Sequence, residues 1–324
     1  MNRPRRAVLV FLDGVGIGAG DAAFNPFAAA RLPCIQALLG GRRPVTEHLD
    51  ADGRILADRA VLVAADATLG MEGLPQSGTG QTSLLTGRNA AALYGRHFGP
   101  WVPTPVRPML AAENLLSRAV AAGATAAFAN AYPLTGADPR FFRRPAAPML
   151  AAQAAGALTR GAAELAEGRA VASSITNEHW HKPLDPPVPD VTPEEAGHIL
   201  ARIASGAEMT LFAHYDTDYT GHRGALPAAV AALERVDAFL GALVDALPED
   251  ALLIVSSDHG NLEDVRAGHT TNPIPLLAVG AGRQAFAEAR SILDVAPGIE
   301  KLIGIEADSR DADPPIERNE GDEG

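Results

Sequence analysis

Three apolar segments of strand length each end at or just before an aspartate, and this pattern constrains the fold more than any other feature. The segments and their aspartates are Ala7–Leu12 with Asp13, Met209–Tyr215 with Asp218, and Ala251–Val255 with Asp258. Strand-like and helix-like segments alternate along the chain, which predicts an α/β fold with a mostly parallel central sheet and helices on both faces. In such sheets ligands bind at the carboxyl ends of the strands, so the three aspartates are expected to converge at one edge.

Two of these strand ends also carry histidines. His222 lies four residues after Asp218, His259 follows Asp258 directly, and His269 comes ten residues later. Carboxylate oxygens and imidazole nitrogens are ligands that suit zinc or manganese. Asp258 and His259 can face one site only where the strand breaks into a turn, which the following glycine permits. The alternative is that Asp258 caps a turn while His259 packs against the sheet.

The segment Leu74–Arg88 (LPQSGTGQTSLLTGR) supplies a candidate nucleophile. Gly78 and Gly80 come before a helix-like stretch, so their backbone is expected to approach an anion at a helix N-terminus. Ser77 lies just ahead of these glycines, where a bound metal would activate its hydroxyl. Thr79 is a second candidate nucleophile and a candidate substrate contact. The alternative is that Ser77 sits in an ordinary glycine-rich turn.

Taken in this order, the motifs resemble the alkaline-phosphatase superfamily, most of all the branch with cofactor-independent phosphoglycerate mutase and phosphopentomutase. The resemblance covers residues 5–90 and 208–304 and is most specific in Asp-His-Gly-Asn at 258–261 and His-Thr-Thr-Asn-Pro at 269–273. Ser77 lies ten positions before Gly87 of the Thr-Gly signature, where the family has its nucleophile, whereas Thr79 is out of this register by two.

The resemblance implies two divalent cations, with manganese or zinc favoured and magnesium possible. It implies that one cation is held by Asp13, Ser77, Asp258 and His259, and the other by Asp218, His222 and His269. It further implies that Ser77 attacks a phosphate ester and carries the phosphoryl group as a phosphoserine intermediate.

The sequence also departs from the family. The mutases carry Asn-Ser-Glu-Val-Gly-His around the nucleophile, where this chain has Gln76–Gln81 (QSGTGQ), and the Pro and Arg of the sulfatases are missing. Only about sixty residues separate the strand predicted at 124–129 from the helix predicted at Thr192, which leaves little chain for a closing cap. We therefore expect a phosphatase or phosphodiesterase that acts on a small phosphorylated substrate. A phosphomutase of phosphoglycerate or phosphopentose type is the alternative, and a non-catalytic metal- or phosphate-binding protein is a second alternative.

Residues 1–94 and 191–304, with a strand at 124–130, are expected to form the metal-binding core, and residues 95–190 partly a small cap or insertion. Predicted substrate contacts outside the motifs are His179, His181 and Arg223. The alternatives are a further metal site or a packed aromatic cluster at the two histidines, and a solvent-facing side chain at Arg223. Residues 305–324 carry eight acidic and two basic side chains, which predicts a disordered acidic tail.

Apolar periodicity and capping signals predict the helices and strands. Thr192 is expected to cap a helix, with Glu195 completing a capping box. Predicted helices are Asn25–Leu39, Thr82–Leu93, Ala111–Ala122, Thr192–Ser205, Leu226–Ala246 and Ile292–Ile303. Further predicted strands are Ala124–Ala129, Ile274–Val279 and short strands within Arg54–Ala64.

Net charge, apolar run lengths and the cysteine count indicate which partners and which cellular compartment the protein is expected to have. The net charge of −12 argues against a nucleic-acid partner. No apolar run approaches the roughly 20 residues that span a bilayer, and six apolar residues before Asp13 are too few for a signal peptide. The single cysteine, Cys34, excludes an internal disulfide and fits a reducing compartment. We therefore expect a cytoplasmic protein that does not bind membranes.

Overall fold

In the computed structural model, which describes residues 4–133, 143–180 and 188–305, seven strands form one sheet. The strands are β1 (Arg6–Leu12), β2 (Arg54–Leu56), β3 (Ala60–Ala65), β4 (Ala126–Phe128), β5 (Met209–His214), β6 (Ala251–Ser256) and β7 (Ile274–Gly280). Their order across the sheet is β2-β3-β7-β6-β1-β5-β4. The predicted aspartate-bearing strands β1, β5 and β6 are therefore neighbours in the middle of the sheet.

The direction of pairing changes across the sheet. Strands β4, β5, β1 and β6 pair in parallel, whereas β7, β3 and β2 pair antiparallel to their neighbours. The predicted α/β class is confirmed, and the sheet is mixed because β7 runs antiparallel to β6. Its direction follows from residues 257–273, which contain no helix to carry the chain back to the other end of the sheet, as a parallel connection requires.

Helices cover both faces of the sheet, as predicted. They are α1 (Pro26–Ala29), α2 (Pro33–Leu38), α3 (Ser77–Thr86), α4 (Ala90–Tyr94), α5 (Arg107–Glu113), α6 (Leu115–Ala121), α7 (Ala147–Ala154), α8 (Ala162–Ala166), α9 (Pro193–Ser205), α10 (Asp216–His222), α11 (Leu226–Ala246) and α12 (Val295–Ile303). None of the helices in the described part of the chain combines the length and apolarity needed to cross a membrane.

Strand β1 shows how the two faces are built. Ala7, Leu9 and Phe11 point to a core shared with α3, α5, α6, α7 and α12. Val8 and Val10 point to the opposite core, which α1, α2, α9 and α11 complete. Successive side chains of a strand alternate between faces, so a strand that is apolar at every position is buried on both sides.

Several predicted helices are interrupted, and each break has a local cause. Pro33 starts α2 and ends the helix predicted from residue 25, because proline lacks the amide hydrogen that a helix interior needs. Gly87 adopts a left-handed conformation (φ 70°) and ends α3 before α4 begins. Asn114 leaves the helical conformation and caps α6 through Ser117 N. Thr192 caps α9 with the predicted capping box.

The segment predicted as a partial cap contributes largely to the α/β core. Helices α5, α6 and α7 pack beneath α3, and β4 forms an edge of the sheet. A separate small cluster of Ala131, Leu165, Ala170 and Ala172 lies beyond this edge. Ile305, the first residue of the predicted tail, is buried, and residues 306–324 lie outside the described residues.

Candidate active site

The first group of candidate ligands, Asp13, Asp258 and His259, forms where β1 and β6 end. These neighbouring strands are parallel and in register, so their carboxyl ends bring the side chains together. His259 Nε2 lies 3.4 Å from Asp13 Oδ1 and 3.7 Å from Asp258 Oδ2. Asp258 and His259 are completely buried and Asp13 nearly so. One ligand atom from each residue lies within 4.8 Å of the others.

The second group consists of Asp218, His222 and His269. Helix α10 places Asp218 and His222 one turn apart, with Oδ2 and Nε2 separated by 3.4 Å. His269, on the loop before β7, brings its Nε2 to 3.1 Å from His222 Nε2 and 3.8 Å from Asp218 Oδ1. The rings of His259 and His269 stack with their centroids 3.9 Å apart. The two groups are therefore adjacent parts of one site.

Ser77 lies above the first group. It is the first residue of α3 and is almost completely buried, and its Oγ is 3.0 Å from His259 Nε2. The N-terminus of a helix carries a partial positive charge, which favours negative charge on this oxygen. One helical turn later, Gln81 donates from Nε2 to Asp13 Oδ2 at 3.3 Å. Helix α3 therefore holds the candidate nucleophile against the first ligand group.

The first group holds protons tightly. Burial raises the pKa of Asp258 to about 8, and the neighbouring Asp13 adds to the increase. Burial also raises the pKa of Asp13. Burial alone would lower the pKa of His259, but Asp258 and Asp13 outweigh it and raise the pKa to about 10. Positive charge is therefore strongly favoured between the two carboxylates.

The residues present fit a divalent cation at each group. Asp13 Oδ1 and Asp258 Oδ2 are buried carboxylate oxygens that receive no hydrogen bond, and such oxygens are costly unless they are paired or coordinate a metal. His269 Nδ1 is 2.9 Å from Pro75 O, so it must donate there, which leaves Nε2 as an electron-pair donor. A set of carboxylate oxygens and imidazole nitrogens suits zinc or manganese.

Three residues that the sequence did not predict as ligands or substrate contacts support these groups: Gln81, Asn261 and Glu263. Asn261 donates from Nδ2 to Asp218 Oδ1 at 2.6 Å. Glu263 is a completely buried carboxylate among the ligand loops. Helical periodicity could have identified Gln81, because it lies one turn after Ser77. No signal in the sequence distinguishes Glu263 from an ordinary solvent-exposed charge.

Thr79 does not contribute to the site as predicted. Its amide donates to Phe98 O at 2.9 Å, and its hydroxyl accepts from Phe98 N at 3.1 Å and donates to Gln76 O at 3.3 Å, so both of its donors are directed to backbone carbonyls. The flanking glycines also pack closely against neighbouring backbone. A Cβ on Gly78 would lie 2.0 Å from Trp101 O, and one on Gly80 would lie 2.8 Å from Asp258 O.

The other predicted substrate contacts lie further out. Arg223 is exposed on α10 next to His222, with its guanidinium 4.2 Å from the centroid of the Tyr219 ring. His179 is exposed and belongs to a third group with Glu178 and Asp216. Arg235 pairs with both of these carboxylates, at 3.1 Å and 3.3 Å, and so already supplies their positive charge. His181 lies outside the described residues.

Comparison with known proteins agrees with this architecture. The family model of the Metalloenzyme superfamily matches residues 191–307. Over 122 residues the chain is 34% identical to the 2,3-bisphosphoglycerate-independent phosphoglycerate mutase of Cereibacter sphaeroides. The aligned segment makes up 35% of this chain and 24% of that protein. The chain thus spans about a quarter of the length of the curated relatives it matches.

Solved structures share the fold at low sequence identity. The alkaline phosphatase of the Antarctic bacterium TAB5 superposes with a TM-score of 0.52 and 13% identity over 94% of this chain and 99% of that one. The cold-active alkaline phosphatase of a psychrophilic Shewanella superposes with a TM-score of 0.53 and 13% sequence identity, over 91% of this chain and 99% of that one. The solved structures show the shared fold, and the family model and partial identities confirm the predicted resemblance to the superfamily. A match to a metalloenzyme superfamily favours divalent cations as cofactors.

The matched superfamily segment contains most of the candidate ligands. Residues 191–307 include Asp218, His222, Asp258, His259 and His269, whereas Asp13 and Ser77 lie outside the match. In the structure Asp13 joins the same site because β1 lies between β5 and β6, and Ser77 joins it because α3 packs against Asp258 at Gly80.

Proposed function

We propose that this chain is a two-metal phosphoryl-transfer enzyme that hydrolyses a small phosphate ester through a phosphoserine on Ser77. The observation that carries the proposal is the position of Ser77 Oγ, at the head of α3 and 3.0 Å from His259 Nε2. A hydroxyl at a helix N-terminus, beside two adjoining groups of carboxylates and imidazoles, has the surroundings that a phosphate-accepting serine requires.

In this proposal Asp13, Asp258, His259 and Ser77 would hold one divalent cation, and Asp218, His222 and His269 the other. Manganese or zinc suits these donors best, and magnesium is a further candidate. When bound, the cations would supply Lewis-acid charge that promotes ionisation of the Ser77 hydroxyl and neutralises the phosphate oxygens.

The chain's own residues would then carry the chemistry in two displacements at phosphorus. Ser77 Oγ forms a bond to phosphorus, the ester P–O bond breaks, and the departing alcohol takes up the proton that the Ser77 hydroxyl has lost. Water next bonds to phosphorus, the bond to Ser77 Oγ breaks, inorganic phosphate leaves, and a proton from the water restores the Ser77 hydroxyl. Gln81 keeps Asp13 in place beside the reacting serine. Arg223, exposed at the edge of the second group, is proposed to contact the part of the substrate beyond the phosphate.

A phosphomutase is the second candidate function, and the partial identity to phosphoglycerate mutases favours it. The two functions share the phosphoserine but differ in its fate, because a mutase returns the group to another hydroxyl of the substrate. Incubation with sugar or glycerate phosphates, followed by ³¹P NMR, separates them. Free phosphate supports hydrolysis, and a phosphate moved within the substrate supports the mutase.

The test of the common step is hydrolysis of p-nitrophenyl phosphate with manganese or zinc. Ser77→Ala is expected to abolish turnover and the phosphorylated serine detected by mass spectrometry. Ser83→Ala is the matched control, because Ser83 is buried in the same helix and its hydroxyl accepts from Ala90 N at 3.0 Å. If Ser77→Ala were as active as the wild type, the assignment of Ser77 as the nucleophile would be refuted. A metal-loaded wild type that never hydrolyses or transfers phosphate would favour a non-catalytic binding protein.

A further inference from the structure

Glu263 is a buried carboxylate that the proposed chemistry does not use. It is 0% exposed, and no arginine or lysine in residues 4–133, 143–180 and 188–305 pairs with it. A buried charge of this kind is tolerated only where hydrogen bonds satisfy its oxygens. Glu263 therefore has to be explained by the groups that donate to it.

Four donors from three separate segments converge on this carboxylate. Oε2 accepts from Gly16 N at 2.9 Å and from Asn261 N at 2.8 Å. Oε1 accepts from the hydroxyl of Thr270 and from Asn272 Nδ2, the latter at 3.0 Å. Both oxygens are thus occupied by the protein itself, so Glu263 is not a free ligand for a cation.

The donors come from the segments that carry the candidate ligands. Gly16 follows Asp13 by three residues, Asn261 follows His259 by two, and Thr270 follows His269 directly. Asn261 extends the connection, because its Nδ2 donates to Asp218 Oδ1 at 2.6 Å. Glu263 therefore fixes the segments that carry ligands of both groups, and Asn261 links it to Asp218.

The backbone around Glu263 is shaped to admit it. A Cβ at position 16 would lie 2.3 Å from the carboxylate carbon of Glu263, and a Cβ on Gly260 would lie 2.4 Å from Oε1. Only glycine leaves enough space for the two loops to close on the carboxylate.

We propose that Glu263 is a positioning residue that holds the ligands of both cation groups in their binding arrangement. The inference rests on the metal-dependent function proposed above. Partners that orient metal ligands commonly change metal affinity by about ten- to a hundredfold when they are removed. We expect a change of that size at Glu263 without the loss of any ligand.

Glu263→Gln tests this role because it preserves size and replaces one acceptor oxygen by a donor. The remaining oxygen can accept from the two backbone amides, so the new amide would face Thr270 and Asn272 and disturb the loop of His269. Glu300→Gln is the matched control. Glu300 is a second buried glutamate, 2% exposed, and it pairs with Arg118 of α6 at 3.0 Å, away from the ligand loops.

The measurement is titration of the metal-free full chain with manganese(II) by calorimetry, together with the absorption spectrum of bound cobalt(II). We expect Glu263→Gln to bind manganese about ten- to a hundredfold more weakly and to shift the cobalt bands, with Glu300→Gln like the wild type. Wild-type affinity and bands in Glu263→Gln would overturn the inference while leaving the proposed function intact. A wild type that binds neither ion would instead defeat the proposed function.

Thr270→Val keeps the test decisive if Glu263→Gln does not fold by circular dichroism. This nearly isosteric change removes only the hydroxyl that donates to Glu263 Oε1. Weaker manganese binding in Thr270→Val would support the positioning role, and unchanged binding would overturn it.

Discussion

Binding of a cation to the first ligand group should release protons in a number that depends on pH. Asp258, with a pKa of about 8, and His259, with a pKa of about 10, both hold protons in the metal-free protein at pH 7. A ligand must lose its proton to bind a metal, so these two groups should release about two protons per cation at pH 7. At pH 9 Asp258 is already ionised, and the release should fall to about one.

The number of protons released also determines how the affinity for manganese depends on pH. With two protons displaced, affinity should rise about a hundredfold per pH unit between pH 6 and 7, and about tenfold per unit between pH 8 and 10. Calorimetry with manganese in buffers of different ionisation enthalpy measures the released protons directly. Asp258→Asn is the control and should release fewer protons than the wild type at pH 7, because it removes the Asp258 proton and also the charge that raises the pKa of His259. Affinity that does not change between pH 6 and 8, or proton release near zero, would refute the reasoning.

The stability of the metal-free protein follows from the same two groups. Both pKa values are raised in the folded state, from 3.8 to about 8 for Asp258 and from 6.5 to about 10 for His259. Their stabilising contribution is complete below the unfolded values and is lost as pH rises through the folded values. Saturating manganese removes this pH-dependent loss of stability, because the bound cation replaces the protons on Asp258 and His259. The difference in melting temperature between loaded and metal-free protein should therefore widen from pH 6 to 9, and a constant difference would contradict it.

Two further changes test the local structure. Gly14→Ala should lower the free energy of unfolding by about 1–3 kcal/mol, because Gly14 has φ +66° and an added Cβ would lie 2.4 Å from Asp218 Oδ1. Urea denaturation measures this loss, and an unchanged midpoint would contradict it. Thr192→Ala should cost about 1 kcal/mol by removing the cap of α9, with manganese affinity unchanged. A loss of manganese affinity in Thr192→Ala would show instead that destabilising α9 disturbs the distant ligand groups.

The sequence predicted the central strands well, and the folded chain brings the candidate ligands together at the ends of these strands, because the signals for both are local. Apolar runs that are buried on both faces mark β1, β5 and β6, and each run is followed by its aspartate within a few residues. The helix at 226–246 was also predicted with its observed bounds, because a long amphipathic stretch dominates local preference.

What the sequence could not predict depends on contacts between distant segments. The antiparallel direction of β7 follows from the path of residues 257–273, which periodicity does not encode. The close packing of Gly78 against Trp101 and of Gly80 against Asp258 likewise joins segments that are far apart in the sequence. Burial of Glu263 depends on donors from three segments, and the most distant donor, Gly16, lies 247 residues away in sequence. Only the folded chain therefore reveals the role of this glutamate.

The central claim is that two adjoining groups of side chains each bind one divalent cation beside Ser77. Anomalous diffraction from crystals of the full chain grown with manganese tests it most directly. The account predicts one peak among Asp13, Asp258 and His259 and a second among Asp218, His222 and His269. Absence of both peaks at saturating manganese, or peaks only at other acidic clusters such as Glu178 and Asp216, would contradict it.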